Sequence, residues 1–202
     1  MRYGDAAAEA GWLEQARRGD DEAFARLVEA YQVPVFNLCF RILGEAAEAE
    51  DASQETFLRA YRNLASYDPQ RKLSSWLLSI ASHHCIDRLR RRRLVSLPLE
   101  DLGPAEDPAD PGPGPEASLA DADRRRDVRR LLDHLAPQDR AAIVLRYWYD
   151  LPVEEIGETL GLSVSAVKSR LHRARRSMAE VWGDPRPAAS LPGGRQHEPS
   201  AL

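Results

Sequence analysis

The chain has 202 residues, of which 43% are hydrophobic and 30% charged, a composition typical of a globular protein. No stretch approaches the ~20 consecutive apolar residues that a membrane-spanning helix needs, and the acidic, Ala-rich start does not have the pattern of a signal peptide. The two cysteines, Cys39 and Cys85, cannot form a disulfide framework, so we expect a cytoplasmic protein with reduced thiols.

Charge is distributed in blocks along the chain. The overall net charge of -4 combines a net of -6 over residues 1–60, +6 over 61–95, -8 over 96–123 and +4 over 124–182. Basic segments can follow the phosphates of nucleic acid, whereas acidic segments repel phosphate or meet other basic surfaces. The alternation indicates two basic segments held apart by an acidic one.

The first part of the chain predicts helices. Period-two alternation and Asn-Gly or Asp-Gly hairpin turns are absent, which argues against strands. A short first helix ends near Gly19, and Asp20 or Asp21 can cap the second helix. Within this second helix Pro34 is expected to bend or restart the chain before Gly44 ends it.

A third helix is predicted from about residue 46 to residue 64. A fourth follows Leu73, with Ser74 as its expected N-cap, and continues into a run of arginines. Residues 96–118 are then rich in Pro, Gly and acids, which predicts an extended flexible linker. The resulting all-α organisation has two small helical domains, at 10–95 and 119–182, a disordered tail at 183–202, and C-terminal helices near 119–135, 137–149, 153–160 and 164–181.

The strongest local motif lies in the C-terminal domain. A short helix over Val153–Leu160 is followed by Gly161, which suits a left-handed turn because it has no Cβ. Ser163 can cap the next helix, whose buried stripe has spacings of 4, 3 and 4 residues. The stripe comprises Val167, Leu171, Ala174 and Met178. This pattern predicts a helix-turn-helix.

The second helix of this motif has a basic front and almost no acids. The alternative is a helical hairpin whose charged face meets only water, but such a face usually mixes charges of both signs. We therefore expect the helix to enter a DNA major groove, where basic and hydroxyl side chains reach bases or phosphates. The candidate residues are Ser165, Lys168, Ser169, Arg170, His172, Arg173 and Arg176.

Residues 51–64 of the N-terminal domain are predicted to form an amphipathic helix. An apolar side would carry Ala52, Phe57, Ala60, Tyr61 and Leu64. Along the opposite side, an exposed leucine among acids and an amide indicates a protein contact, although an ordinary solvated helix is the simpler alternative for this segment alone. These candidate contact residues are Asp51, Gln54, Glu55 and Leu58.

The segment over residues 73–93 places an aromatic side chain and a basic helix end on one face. Such a combination suits stacking on an unpaired base with phosphate contacts, although Trp76 could equally pack in the core. A metal site is not expected, because His83, His84 and Cys85 are adjacent and point in different directions on a helix. The candidate nucleic-acid residues on this face are Trp76, His83, Asp87, Arg90 and Arg91.

Taken together, these segments resemble the extracytoplasmic-function (ECF) sigma factors of the sigma-70 family. EDASQETFLRAYRNL resembles the polymerase-binding helix of that family, and residues 67–93 resemble its segment for promoter melting and minus-ten recognition. Residues 135–178 resemble the domain that binds the minus-thirty-five element. The two domains follow each other in the same order across a Pro-rich linker.

The resemblance implies the partners of each segment. Core RNA polymerase would bind residues 51–58 through the clamp helices of its large subunit. Residues 76–91, to which the resemblance adds Ser79, would hold the single-stranded minus-ten element, and residues 165–176 would bind the minus-thirty-five duplex. An anti-sigma factor would control activity. The sequence departs from the family at two positions. His83 replaces the usual Asn, so the resemblance does not define which minus-ten base is preferred. Pro152 replaces the Ser or Thr that often opens the first helix of the helix-turn-helix.

Other functional classes fit the sequence less well. A self-sufficient helix-turn-helix regulator would need a dimer interface, and no long apolar stripe is left over for one. A scaffold protein with an acidic partner would not need an aromatic residue beside its arginines. No nucleophile–base set and no phosphate-binding glycine loop is present, so we expect no enzyme, no cofactor, no small-molecule substrate and no membrane insertion.

Overall fold

The computed structural model describes residues 6–95 and 118–183, and these residues form α-helices and a single 3-10 turn with no strand. The all-α prediction is therefore confirmed. The predicted linker and tail lie outside the described residues, apart from Ser118 and Gly183 at the ends of helices. The helices are α1 (Ala6–Arg17), α2 (Asp21–Leu43), α3 (Ala46–Asn63), α4 (Leu73–Val95), α5 (Ser118–Asp133), α6 (Pro137–Tyr147), α7 (Val153–Leu160) and α8 (Val164–Gly183).

The second helix begins and ends as its sequence predicts. The Asp20 carboxylate accepts a hydrogen bond from the Ala23 N–H at 3.1 Å, and Gly44 ends the helix with a φ of 88°. Pro34 does not restart the helix, which is continuous from Asp21 to Leu43. Pro34 is buried in the core, and its ring removes one backbone hydrogen bond of the helix.

The expected Ser74 cap of α4 is wrong. The helix begins at Leu73, and the Trp76 N–H already donates to the Lys72 carbonyl at 3.1 Å. Leu73 is buried, so the helix begins where the chain enters the core, and Ser74 lies within the first turn.

Tyr61 was expected on the apolar side of α3, yet it is 46% exposed. Its ring packs edge-on against Phe24 with 5.0 Å between centroids, and its hydroxyl donates to the Asp21 carboxylate at 2.6 Å. The polar end of the side chain thus stays in water while one ring edge is covered. The hydrogen bond to Asp21 raises the pKa of the Tyr61 hydroxyl.

A continuous hydrophobic core runs through the N-terminal domain (α1–α4) and the C-terminal domain (α5–α8). Cys39 of α2 and Cys85 of α4 are both fully buried in it. The hydrogen bond with Cys39, together with burial, raises the pKa of the Cys85 thiol well above its usual value. Cys85 is therefore a protonated packing residue and not a reactive thiolate.

The two domains contact each other directly. Helices α6 and α7 lie against α4, and α5 and α6 lie against α2. The polar contacts between the domains include hydrogen bonds to backbone carbonyls, from Arg140 to Ile42 (2.8 Å), from Tyr149 to Pro34 (2.5 Å) and from Arg93 to Leu135 (2.8 Å). Lys72 and Ser75 also bond Glu155, and the Arg41 guanidinium lies 4.7 Å from the centre of the Trp148 ring.

Candidate nucleic-acid and protein interfaces

The helix-turn-helix of α7 and α8 has the predicted turn. Gly161 adopts a φ of 64°, and its N–H donates to the Gly157 carbonyl. The Ser163 hydroxyl accepts from the Ala166 N–H at 3.3 Å, as expected of the cap of α8. Pro152 sits at the start of α7 with a φ of -64° and no side-chain cap bond, so the helix forms without the usual hydroxyl.

Gly157 is a second glycine requirement of this turn that the sequence did not reveal. The Leu162 N–H donates to the Gly157 carbonyl at 2.8 Å. A Cβ on Gly157 would lie only 2.7 Å from the Leu162 carbonyl oxygen. The close approach of these two backbone segments therefore depends on the absence of a side chain at this helical position.

The faces of α8 divide as its sequence predicts. Val167, Leu171 and Ala174 are buried, which anchors the helix on its apolar side, whereas Met178 at the end of the predicted stripe is only partly buried. Six of the seven candidate duplex-binding side chains are exposed and together form what we call the α8 face, comprising Ser165, Lys168, Ser169, His172, Arg173 and Arg176. These six side chains lie on one side of α8, the second helix of the motif. This is the side that would meet a major groove.

Arg170 is placed differently from the other candidates. Its side chain is 24% exposed, and its guanidinium donates to the Asp139 carboxylate of α6 at 2.8 Å. Arg170 therefore lies at the edge of the buried stripe and joins two helices. Its direct contact with DNA stays a prediction.

The candidates on α4 form a single stripe, which we call the α4 stripe. Trp76, Ser79, His83, Asp87 and Arg90 follow one another at spacings of 3, 4, 4 and 3 residues on one unbroken helix. Such spacings keep side chains on one face. Arg91 belongs to the same helix end but lies to one side of the stripe.

Trp76 combines both alternatives for an aromatic residue at this position. Its ring packs at a tilt against the buried Tyr67, with 4.9 Å between centroids, yet the side chain is only partly buried. The Tyr67 contact restrains the ring, and part of the indole is exposed. Stacking of Trp76 on a base stays a prediction. His83 next along the stripe is exposed, and its Nδ1 lies 2.8 Å from the Ser79 carbonyl oxygen.

Three arginines at the end of α4 contact other elements of the fold. Arg92 pairs with Glu48 at 2.9 Å, Arg88 lies 3.9 Å from Glu48, and Arg93 bonds the Leu135 carbonyl. These three side chains hold α4 to α3 and to the C-terminal domain. Arg90 and Arg91 are exposed, and Arg90 lies 3.7 Å from the Asp87 carboxylate of its own helix. Their contact with phosphate stays a prediction.

The predicted protein-contact side of α3 is on the surface. Asp51, Gln54 and Leu58 are exposed, and Glu55 is held by Arg59 at 2.7 Å, a hydrogen bond that lowers the pKa of the Glu55 carboxyl. A shallow groove between α2 and α3 runs beside Gln54. The exposed surface inside the groove is mostly apolar. The groove is lined by Val28, Gln32, Val33, Phe36, Glu50, Ser53, Gln54 and Phe57.

His84 lies beneath this surface and predicts a pH-dependent stability. It is 8% exposed, and neither ring nitrogen has a hydrogen-bond partner among the described residues. Burial, followed by the charge of Arg59, lowers the pKa of His84 below its usual 6.5. His84 therefore binds a proton more readily in the unfolded chain than in the folded chain. As a result, the free energy of unfolding should fall as the pH drops below about 6.5.

The His84→Gln variant should lose that pH dependence, which is at most about 1.4 kcal/mol per pH unit for one proton. Urea unfolding at pH 5.5 and 7.5 measures it as the difference between the native chain and the variant. The same replacement at the exposed His83 controls for loss of a surface imidazole. Equal pH slopes in the native chain and the His84 variant would contradict the prediction.

Comparisons with known proteins identify the family of each domain. The family model described as Sigma-70 region 2 matches residues 27–95, and the model described as Sigma-70, region 4 matches residues 125–178. The ECF RNA polymerase sigma factor SigW of Bacillus subtilis is 36% identical over 179 residues, covering 85% of this chain and 95% of the relative. The ECF RNA polymerase sigma factor SigE of Mycolicibacterium smegmatis is 36% identical over 181 residues, covering 88% of this chain and 63% of the relative.

Solved structures show the same fold. CnrH, in a complex with the cytosolic domain of CnrY, matches with a TM-score of 0.64 and 26% identity over 87% of this chain and 97% of that chain. The sigma factor RpoE of Bartonella quintana, in a complex with the anti-sigma factor NepR, matches with a TM-score of 0.63 and 23% identity over 79% and 96% of the two chains. With both sigma-70 regions matched in order over the described domains, this chain belongs to the ECF RNA polymerase sigma factors of the sigma-70 family.

Proposed function

We propose that this chain directs core RNA polymerase to a defined class of promoters in the cytoplasm, and that it acts by binding and not by catalysis. The observation that carries the proposal is the presence of both sigma-70 regions in one chain, on domains that bear the α4 stripe and the α8 face. No described helix is long and apolar enough to cross a bilayer.

Each surface has a separate task in this proposal. The α8 face reads or grips the minus-thirty-five duplex, the α4 stripe takes the unpaired minus-ten strand, and residues 51–58 bind polymerase. Trp76 supplies a stacking surface, and Arg90 and Arg91 supply phosphate contacts. His83 stands where the family usually has Asn, so its imidazole sets the base preference at the position that it contacts.

The domain contacts imply a rearrangement on promoter binding. Glu155 of α7 is bound by Lys72 at 3.2 Å and by Ser75, and a methyl group on Gly161 would lie 4.0 Å from the His83 ring. The helix-turn-helix thus lies directly beside the α4 stripe. We infer that the domains separate when both promoter elements are bound, and tethering then keeps the second site at high effective concentration.

Transcription with purified components tests the proposal. The chain is mixed with bacterial core polymerase and fragments of its genome, and the transcripts are sequenced. We expect transcripts that share two spaced upstream motifs, with little specific DNA binding by the chain alone. Tight polymerase-free binding to a palindrome, without stimulated transcription, would instead establish a dimeric helix-turn-helix regulator.

We further propose control by an anti-sigma factor. CnrH, which shares this fold at 26% identity, was solved with a protein partner, the cytosolic domain of CnrY. An inhibitor of this chain would have to cover residues 51–58 or the α8 face. A candidate captured from the source cell should displace core polymerase and suppress transcription in the purified system, and failure to recover any such protein would count against the proposal.

Leu58 offers a test of the polymerase surface. It is 51% exposed on α3, four residues after Gln54 of the groove lining, and an exposed leucine of this kind is the type of side chain that a partner covers. We expect Leu58→Glu to weaken binding of core polymerase at least about tenfold, because a charge would be desolvated in the interface.

The matched control for Leu58 is Leu94→Glu. Leu94 is 87% exposed at the end of α4, so the same substitution there changes an apolar surface residue outside the groove. Binding of labelled core polymerase is measured for both variants, with unfolding curves to confirm that each is folded. Equal affinities for the two variants would contradict the assignment of residues 51–58 to polymerase.

A further inference from the structure

Asp139 lies behind the α8 face, on a different helix. It belongs to the first turn of α6, and its residue is 8% exposed. One carboxylate oxygen lies 2.8 Å from the Arg170 guanidinium and 3.6 Å from the Arg173 guanidinium, both on α8. A nearly buried carboxylate thus contacts two arginines of the proposed recognition helix.

The location of this carboxylate distinguishes it from the other acid paired on α8. Glu180 bonds Arg176 at 3.1 Å, but both side chains are largely exposed and belong to α8 itself. A pair within one helix turns with that helix and cannot fix its orientation. Asp139 is anchored in α6, so its hydrogen bond with Arg170 ties α8 to α6, and its 3.6 Å ion pair with Arg173 favours one direction of that side chain.

Arg170 and Arg173 differ in how much of each side chain is exposed. The Arg170 side chain is 24% exposed and bonded at close range, whereas the Arg173 side chain is 58% exposed and held at the longer distance. Arg173 can therefore meet a duplex while Asp139 still restrains it. A restrained guanidinium reaches a base edge in one direction, but a free one settles on the nearest phosphate, which carries no sequence information.

We propose that Asp139 is a positioning residue for sequence selection: it aims Arg173, with Arg170 as the fixed support, and it lowers attraction to phosphate in general. This inference rests on the proposed function, because it requires that the α8 face reads a duplex. It assigns specificity to a nearly buried residue of α6 that is not itself part of the α8 face.

The test uses the full chain bound to core polymerase. The minus-thirty-five sequence preferred by the native chain is first selected from a randomised duplex. Affinities for that promoter and for one with a scrambled upstream element are then measured over a range of salt concentrations. We expect Asp139→Asn to reduce discrimination between the two promoters about tenfold, in line with the loss of one well-placed base contact.

Affinity for the scrambled promoter should stay equal or rise, and its salt dependence should become steeper by about one phosphate contact, because Arg173 is released. Glu180→Gln is the matched control, since it also changes a carboxylate beside an α8 arginine into an amide. That variant should strengthen binding to both promoters alike and leave discrimination unchanged.

A double-variant measurement separates positioning from folding. If Asp139 acts through Arg173, then Asp139→Asn added to Arg173→Ala should cause no further loss of discrimination, even where it lowers stability. Equal weakening of both promoters, or a full further loss in the Arg173→Ala background, would overturn the inference. A native chain that shows no upstream discrimination with polymerase would instead overturn the proposed function.

Discussion

Replacing Arg140 with methionine is expected to loosen the contact between the two domains and to lower the free energy of unfolding by about 2 kcal/mol. Arg140 is 4% exposed, and its guanidinium donates to the Ile42 carbonyl at 2.8 Å and pairs with Asp133 at 3.0 Å. Ile42 lies in the last turn of α2, where carbonyls have no partner within the helix. A cation there also meets the negative end of the helix dipole.

The two partners of Arg140 do not contribute equally. The Asp133 side chain is 51% exposed, so water can replace the arginine there. The Ile42 carbonyl belongs to the interface between domains, and losing a charged donor accounts for most of the expected cost. Methionine retains much of the apolar part of the arginine side chain. The substitution therefore leaves little empty space in the core, and the loss of packing contributes little to the expected change.

Urea unfolding and small-angle X-ray scattering measure the Arg140 effect. We expect lower stability together with a larger radius of gyration. Arg146→Met is the matched control, because Arg146 belongs to the same helix and bonds the Leu151 carbonyl of its own domain at 2.9 Å. If both variants changed the radius of gyration equally, Arg140 would not be the specific link between the domains.

Replacing Gly157 with alanine is expected to destabilise the C-terminal domain by about 2 kcal/mol, although alanine is the better helix former. The added Cβ would lie 2.7 Å from the Leu162 carbonyl oxygen, which is backbone within the tight turn and cannot rotate away. The turn must then open, and α7 and α8 lose their relative placement. Binding of polymerase to promoters that depend on the upstream element should fall in parallel.

Gly11 provides the control for Gly157. It is also an interior helical glycine, but a Cβ built on it meets nothing within 4 Å. Gly11→Ala should therefore raise stability by about 0.5–1 kcal/mol. Unfolding curves of both variants measure the two changes in stability. A gain in stability for Gly157→Ala would show that the turn has room for a side chain.

Local features of this protein were predictable because they depend on residues close in sequence. The spacing of apolar residues defined α8 and its exposed basic face, and Gly161 and Ser163 marked the turn and its cap. The stripe from Trp76 to Arg90 followed from helical spacing alone. For the same reason, the resemblance of whole segments to ECF sigma factors could be recognised before any contact was known.

The tertiary structure decided what depends on residues far apart in the chain. It showed that Arg140 caps α2 across the domain boundary, that Asp139 holds two arginines of α8, and that Gly157 is needed for a close backbone approach. It also separated the arginines at the end of α4 that pair with another element, such as Arg92, from Arg90, which pairs with Asp87 of its own helix. Periodicity reports which face of a helix is buried, but the partner on that face is set by packing between elements, which sequence spacing does not encode.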